Sequence, residues 1–282
     1  MSAQANARQD TKAAQHAKAV PQAKPSPQAK AKQAAQRNER LLSLAIFLGL
    51  MLVWEAAGRM GYVNTFFFSW PSAIGVQCWK LLVSGALWTN LLVTAYAYCI
   101  GVFVAVIAGS ILGLAMGWWK TFGSIVDPYV VFFSAMPRIA LYPLLLMIFG
   151  INDLSRIVIV IIGVIFPVVF NAYMGAKQTP RLLIDAANVF GYSSNQLFLH
   201  VIFPASLPYL IAGVRTGVTL GMIMVVVAEF FGGSSGLGQN IAQTAQLYKT
   251  AELYAWVLYT SLFALVLVKG ADLFERWAMR WA

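Results

Sequence analysis

Long charge-free runs alternate with shorter mixed stretches along this chain. No Asp, Glu, Lys or Arg occurs from Leu81 to Trp119, from Ile157 to Ala176 or from Thr216 to Ala228. A helix needs about 20 apolar residues to cross the hydrocarbon core of a bilayer, and in lipid every backbone polar group must find its partner within the structure. Spanning helices meet both demands. The pattern predicts six of them, at 41–58, 89–116, 128–149, 157–174, 209–231 and 253–271. The connections at 117–127 and 150–156 are short, whereas 59–88, 175–208 and 232–252 are long enough to hold structure of their own. No internal repeat is evident, so the two-halves plan of many secondary transporters has no support.

Composition agrees, with 60% hydrophobic residues, 11% charged residues and a mean hydropathy of +0.70. The expected fold class is therefore all-α and polytopic. Basic residues then set the orientation. With the N-terminus inside, the inner flanks hold Lys24, Lys30, Lys32, Arg37, Arg40, Lys120, Lys177, Arg181, Arg276 and Arg280, against Arg59, Lys80, Arg156 and Lys249 outside. Both termini and the 175–208 loop are expected in the cytoplasm.

Residues 1–40, rich in Ala, Gln and Lys, lack the large apolar side chains that could offset the entropy of ordering, and read as a disordered basic tail. The basic stretch is too long for a signal peptide, and it lacks the Arg and Ser of a transit peptide. Much of the net charge of +10 lies in this tail, where anionic lipid headgroups account for it without nucleic acid.

Candidate chemistry is sparse. Cys78 and Cys99 are too few for a metal site, His16 and His200 stand alone, and no nucleophile with a base and an orienting partner can be assembled, so no catalytic residue is expected. The stretch GGSSGLG at 232–238 lacks the Lys-Ser/Thr ending of a phosphate loop and reads as a flexible turn at a helix end. No GxxxxGK[ST] occurs anywhere. ATP is not harvested by this chain.

The informative stretch is DAANVFGYSSNQLFLHVIFPASLP, residues 185–208. Arg181 to Phe190 is helix-permissive, Gly191 suits the left-handed turn that ends a helix, and Ser193 with Gln196 has capping-box spacing for a restart. Pro204 and Pro208 are expected to close that second helix. On the first helix Leu183, Ala187 and Phe190 fall on one face, with Asp185 in the first turns. So short a helix pair is marginal alone and expects a partner.

This stretch resembles the cytoplasmic signature of the inner-membrane permease subunits of binding-protein-dependent ABC importers. That signature is E-A-A, three residues, Gly, nine residues, then I-x-L-P. Here Asp185-Ala186-Ala187, three residues, Gly191, nine residues and Val201-Ile202-Phe203-Pro204 keep the spacing, with Asp for Glu, Val for Ile and Phe for Leu. Within the family the chain is most similar to the nitrate, sulfonate and taurine group, through PRIALYPLLLMIFGI (137–151), VVAEFFGGSSGLGQNI (226–241) and the run from Trp70 into the second span. The resemblance implies a methionine-importer-like fold in a bacterial inner membrane. It also implies a separate ATP-binding subunit that uses the ATP, a second permease copy, and a solute-binding protein outside. Asp185, Ala186, Ala187, Gly191 and Pro204 would form the ATPase-coupling element. This chain itself would need no cofactor and no metal.

In an importer for small anions Arg138, placed within a span, would line the path and offset substrate charge; the rival reading pairs it with Asp127 or a lipid phosphate. Glu229, near the outer end of the fifth span, is a second pathway candidate that could contact the binding protein, or an interfacial carboxylate without a role. Arg215 is expected to snorkel. Trp118, Trp119, Trp277 and Trp281 read as interfacial anchors, and Pro137, Pro143 and Pro167 either expose backbone carbonyls along a cavity or are kinks satisfied by packing. Two other functions stay open: an ion-coupled secondary carrier, against which stands the lack of an acidic residue at mid-span, and a membrane scaffold that recruits a cytoplasmic partner.

Overall fold

The computed structural model describes residues 27–62, 64 and 66–279. Helix α1 (Pro27–Arg59) begins inside the stretch read as a tail, and residues 1–26 lie outside the described residues. Its portion Asn38–Arg59 is long and apolar enough to span, and between Leu44 and Trp54 it is apolar on every side, as a helix bathed in lipid is. Then follow α2 (Pro71–Val83), α3 (Ala86–Trp118), α4 (Lys120–Ala135), a 3-10 turn (Arg138–Leu141) and α5 (Tyr142–Phe149). After these come α6 (Asp153–Lys177), α7 (Arg181–Val189), α8 (Ser194–Leu197), a π turn (Phe198–Ile202), α9 (Phe203–Gly232), α10 (Leu237–Gln246) and α11 (Thr250–Ala278). The described residues contain no strand.

Among the described residues five stretches are long and apolar enough to cross a membrane, and the pair α4 with α5 makes a sixth if the bent pair is one span. The third predicted span, 128–149, is thus corrected from one helix to two, bent by 87°. Pro137 lies in the break and Pro143 in the first turn of α5, where a missing N–H costs least. The expected loop at 117–127 is corrected as well, since α4 already begins at Lys120.

The centre of the bundle is α6, flanked by α3 and α9. Along α3, Gly101, Gly109, Gly113 and Gly117 meet Val160, Val168, Ala172 and Ala176 of α6 in ascending order, so these two helices run parallel. The segment 120–149 must therefore bring the chain back across the bundle. On α9, Gly213, Gly217 and Gly221 meet Asn171 and Val164 of α6 in the opposite sense. A Cβ at these glycines would strike its neighbour. Between apolar helices in lipid there is no hydrophobic drive, so backbones held close by small residues supply the association. Tyr98, Val160, Val164, Met222 and Val225 fill the buried core between them.

Prolines 204 and 208 do not close the second loop helix. Residues Ser194–Gly232 continue as one 39-residue helix, through the π turn and into α9. Pro204 cannot donate to the carbonyl four residues back, and its ring would crowd it; the Phe203 amide closes instead on Phe198, five residues back.

Candidate functional site: the 178–202 loop and a buried carboxylate

Helix α7 ends as its sequence requires. The amide of Phe190 donates to Ala186, that of Tyr192 to Ala187 at 3.1 Å, and Gly191 takes φ 76° with open space where a Cβ would lie. Its glycine is thus needed for the backbone conformation and not for room. Ser193 then opens α8 with a complete capping box: its hydroxyl accepts from the Gln196 amide, and the Gln196 side chain accepts from the Ser193 amide at 2.9 Å. The expected face is revised. Ala187 is buried, while Leu183 and Phe190 are exposed. The outward stripe is Leu182, Ala186 and Val189, at i, i+4 and i+7, with the exposed carboxylate Asp185 beside it and Phe190 at its end. Leu182, Val189 and Phe190 are each about four-fifths or more exposed, at 79%, 86% and 81%.

The loop's second helix is rooted in the bundle. Phe198 meets the Trp118 ring edge to face at 5.4 Å, and Ile202 is buried with Leu114, Ala172 and Ala176. Trp118 is therefore a packing residue at the foot of the loop. Trp119 and Trp277 are exposed as anchors would be, and Trp281 lies outside the described residues. Pro204 is exposed at the start of α9.

The other constellation lies at the opposite end of α9. Glu229 is fully buried, so it does not sit as an exposed carboxylate at an interface. Its carboxylate accepts from the Thr94 hydroxyl and from the Gly238 amide, each at 2.7 Å. Thr94 in turn accepts from the Leu237 amide at 2.9 Å, and the Gly236 amide donates to Asn90 at 2.9 Å. Arg156 is also buried; it pairs with Asp153 at 2.7 Å, donates to the Ser235 carbonyl at 3.2 Å, and stands 4.0 Å from Glu229. Asp153 is its principal partner. The stretch 232–238 is consequently no flexible turn: it wraps the carboxylate so tightly that a Cβ at Gly236 would collide with it. Thr94, Asn90 and Arg156 could not be singled out from the sequence, because the Thr94–Glu229 contact joins residues 135 positions apart.

Arg138 starts the 3-10 turn at the bend. Its guanidinium donates to the carbonyls of Ser134 at 3.1 Å and Gly163 at 3.3 Å, and lies 5.6 Å from the Phe166 ring centre. It makes no ion pair with Asp127 among the described residues. Arg215 does not simply snorkel, because Asp272 and Glu275 of α11 hold it at 2.9 and 3.1 Å. No group of three metal-ligating side chains occurs among the described residues.

A bundle of parallel and antiparallel spans with an exposed short helix joined to a second that runs on into a span is the architecture of an ABC importer permease. Two solved structures share it: an amino acid ABC transporter with histidines, 18% identical, with a TM-score of 0.58 over 70% of this chain and 96% of that one, and the MetNI methionine ABC transporter in an inward-facing form, 20% identical, with a TM-score of 0.56 over 71% and 98%. Residues 101–281 match the family of binding-protein-dependent transport system inner membrane components, and the chain belongs to that family. The putative aliphatic sulfonates transport permease protein SsuC of Escherichia coli K12 is 30% identical over 83% of this chain and 89% of that one. The riboflavin transport permease RibX of Chloroflexus aurantiacus is 30% identical over 85% and 90%, and the taurine transport permease TauC of E. coli K12 is 26% identical over 85% and 89%.

Proposed function

We propose that this chain forms the pathway of an ATP-driven importer for a small anionic solute of the sulfonate, taurine or nitrate type. A solute-binding protein delivers the solute, and a separate ATPase, which alone binds ATP, docks on α7. Two copies of the permease enclose the path in a bacterial inner membrane, with both termini cytoplasmic. The observation that carries the reading is the outward stripe of α7: apolar and small residues with one carboxylate, displayed on a helix too short to stand alone and joined to a second helix that continues unbroken into α9. Asp185 supplies the charge of the contact, Ala186 lets the partner approach, and buried Ala187 seats α7 on its own neighbours. Gly191 sets the angle between the two short helices, and Pro204 marks the π turn through which α8 leads into the span.

Motion of the ATPase would therefore move α7 and α8 together and reach α9 without crossing a loop. The names of relatives support the solute class: aliphatic sulfonates and taurine for two of them. Arg138 is the residue we assign to the solute, as a cation at the bend of α4 and α5. The decisive test is reconstitution in lipid vesicles with the ATPase and a loaded binding protein. Uptake should require all three components. Uptake by the chain alone, or ATP hydrolysis by it alone, would refute the assignment.

A further inference from the structure

Helix α2 is 13 residues long, about 20 Å, and cannot cross a hydrocarbon core of about 30 Å. One side of it is built into the bundle. Ile74 and Leu81 are buried, Leu81 in a cluster with Leu87, Leu237 and Trp256, and Tyr259 of α11 donates to the Cys78 carbonyl at 2.8 Å. The other side presents Val76, Trp79 and Val83, at i, i+3 and i+7, which are 54%, 68% and 68% exposed. Phe66, Phe67 and Phe68 just before α2 and Trp88 just after it are exposed too. So large an apolar and aromatic surface beside two spans calls for a partner.

Charge identifies the partner. From Met60 to Trp119 the sequence contains one ionisable Lys or Arg, Lys80, and no Asp or Glu. A protein-docking patch is ringed by polar and charged groups that fix its register; beside α2 these are few, namely Arg59, which donates to Ser72, and Lys249 with Glu252 next to Gln77. Exposed Trp and Phe, with Lys80 next to the apolar stripe and no carboxylate on α2 itself, match a headgroup boundary. We infer that α2 is an interfacial helix: Val76, Trp79 and Val83 insert into the leaflet at the end of the bundle where α3 begins, and Lys80 reaches an anionic lipid phosphate. Through the seam of α2 on α11, this contact ties the start of α11 to the membrane surface.

The test uses the full chain, with Cys78 and Cys99 replaced by Ala, in lipid nanodiscs. An environment-sensitive fluorophore is placed at Val76→Cys, Trp79→Cys or Val83→Cys, and at the exposed Gln246→Cys of α10 as the aqueous reference. The first three labels should be blue-shifted, quenched by nitroxide lipids labelled near the headgroup, and shielded from a water-soluble quencher, whereas the Gln246 label should behave in reverse. Aqueous quenching equal to that of the reference would overturn the proposal. Shielding that appears only when purified solute-binding protein is added would overturn it in favour of protein docking, and disulfide cross-linking of two chains through Trp79→Cys would do so in favour of a second copy. Lys80→Gln should abolish the stronger shielding expected in anionic over zwitterionic lipid; unchanged lipid preference would remove Lys80 from the contact.

Discussion

Replacing Thr94 by Val keeps the shape of the side chain and removes its oxygen, which makes it the cleanest probe of the buried carboxylate. The Thr94 hydroxyl donates to Glu229 at 2.7 Å and accepts from the Leu237 amide at 2.9 Å, and all three groups are buried. A hydrogen bond to a charged group contributes about 1.5 to 3 kcal/mol, and stranding a buried amide costs about 1 to 3 kcal/mol. The added methyl returns less than about 1 kcal/mol. The net loss is about 1.5 to 5 kcal/mol, and it falls on the contact that holds the start of α10, since Gly236 and Gly238 are tied into the same network. At about 1.4 kcal/mol per tenfold, local opening of 233–246 should rise by roughly tenfold to several-thousandfold. Hydrogen exchange in detergent or nanodiscs reads this directly: amides of 233–246 should exchange faster, while those of α6, which makes no bond to Thr94, keep their protection. Exchange of 233–246 equal to wild type would refute the claim that Thr94 and Glu229 fasten this segment. Uniform loss across α6 would refute the claim that the effect is local.

Gly191→Val should abolish ATP-driven uptake with membrane insertion intact, because a β-branched residue is penalised at φ 76° and the angle between α7 and α8 must change; uptake at the wild-type rate and matched expression would count against it. Arg138→Gln should lower transport of an anionic substrate roughly tenfold to a hundredfold, the worth of one charge-assisted contact, and Arg138→Lys should fail nearly as badly if the planar fork grips the solute, but recover if charge alone matters. Wild-type uptake in the Gln variant would return Arg138 to a purely structural role at the bend. Arg215→Glu should weaken the α9–α11 contact, with Glu275→Arg restoring thermal stability in the double variant; no restoration would show that the ion pair is incidental. Deleting residues 1–34 should leave orientation unchanged in a reporter-fusion assay, as Arg37 and Arg40 still flank the first span.

What could be read without coordinates was local or periodic. Charge-free runs mark the spans because the bilayer forbids unpaired charge and unpaired backbone alike. The left-handed turn at Gly191 and the capping box of Ser193 and Gln196 were legible because each depends on residues within a few positions. The tertiary structure decided what depends on distance. Whether a proline ends a helix turns on whether the ladder can re-register, and Pro204 is absorbed by a π turn rooted on Leu114, Ala172 and Ala176. The bend of 87° between α4 and α5 cannot be told from a straight span by hydropathy, which is the same for both. The glycines of α3 and α9 are regularly spaced in the sequence, yet only the packing shows that they seat α6. Glu229 makes the point most sharply: one carboxylate near a span end is compatible with exposure or burial, and only Thr94, Arg156 and a glycine-lined loop converging from distant parts of the chain make burial affordable.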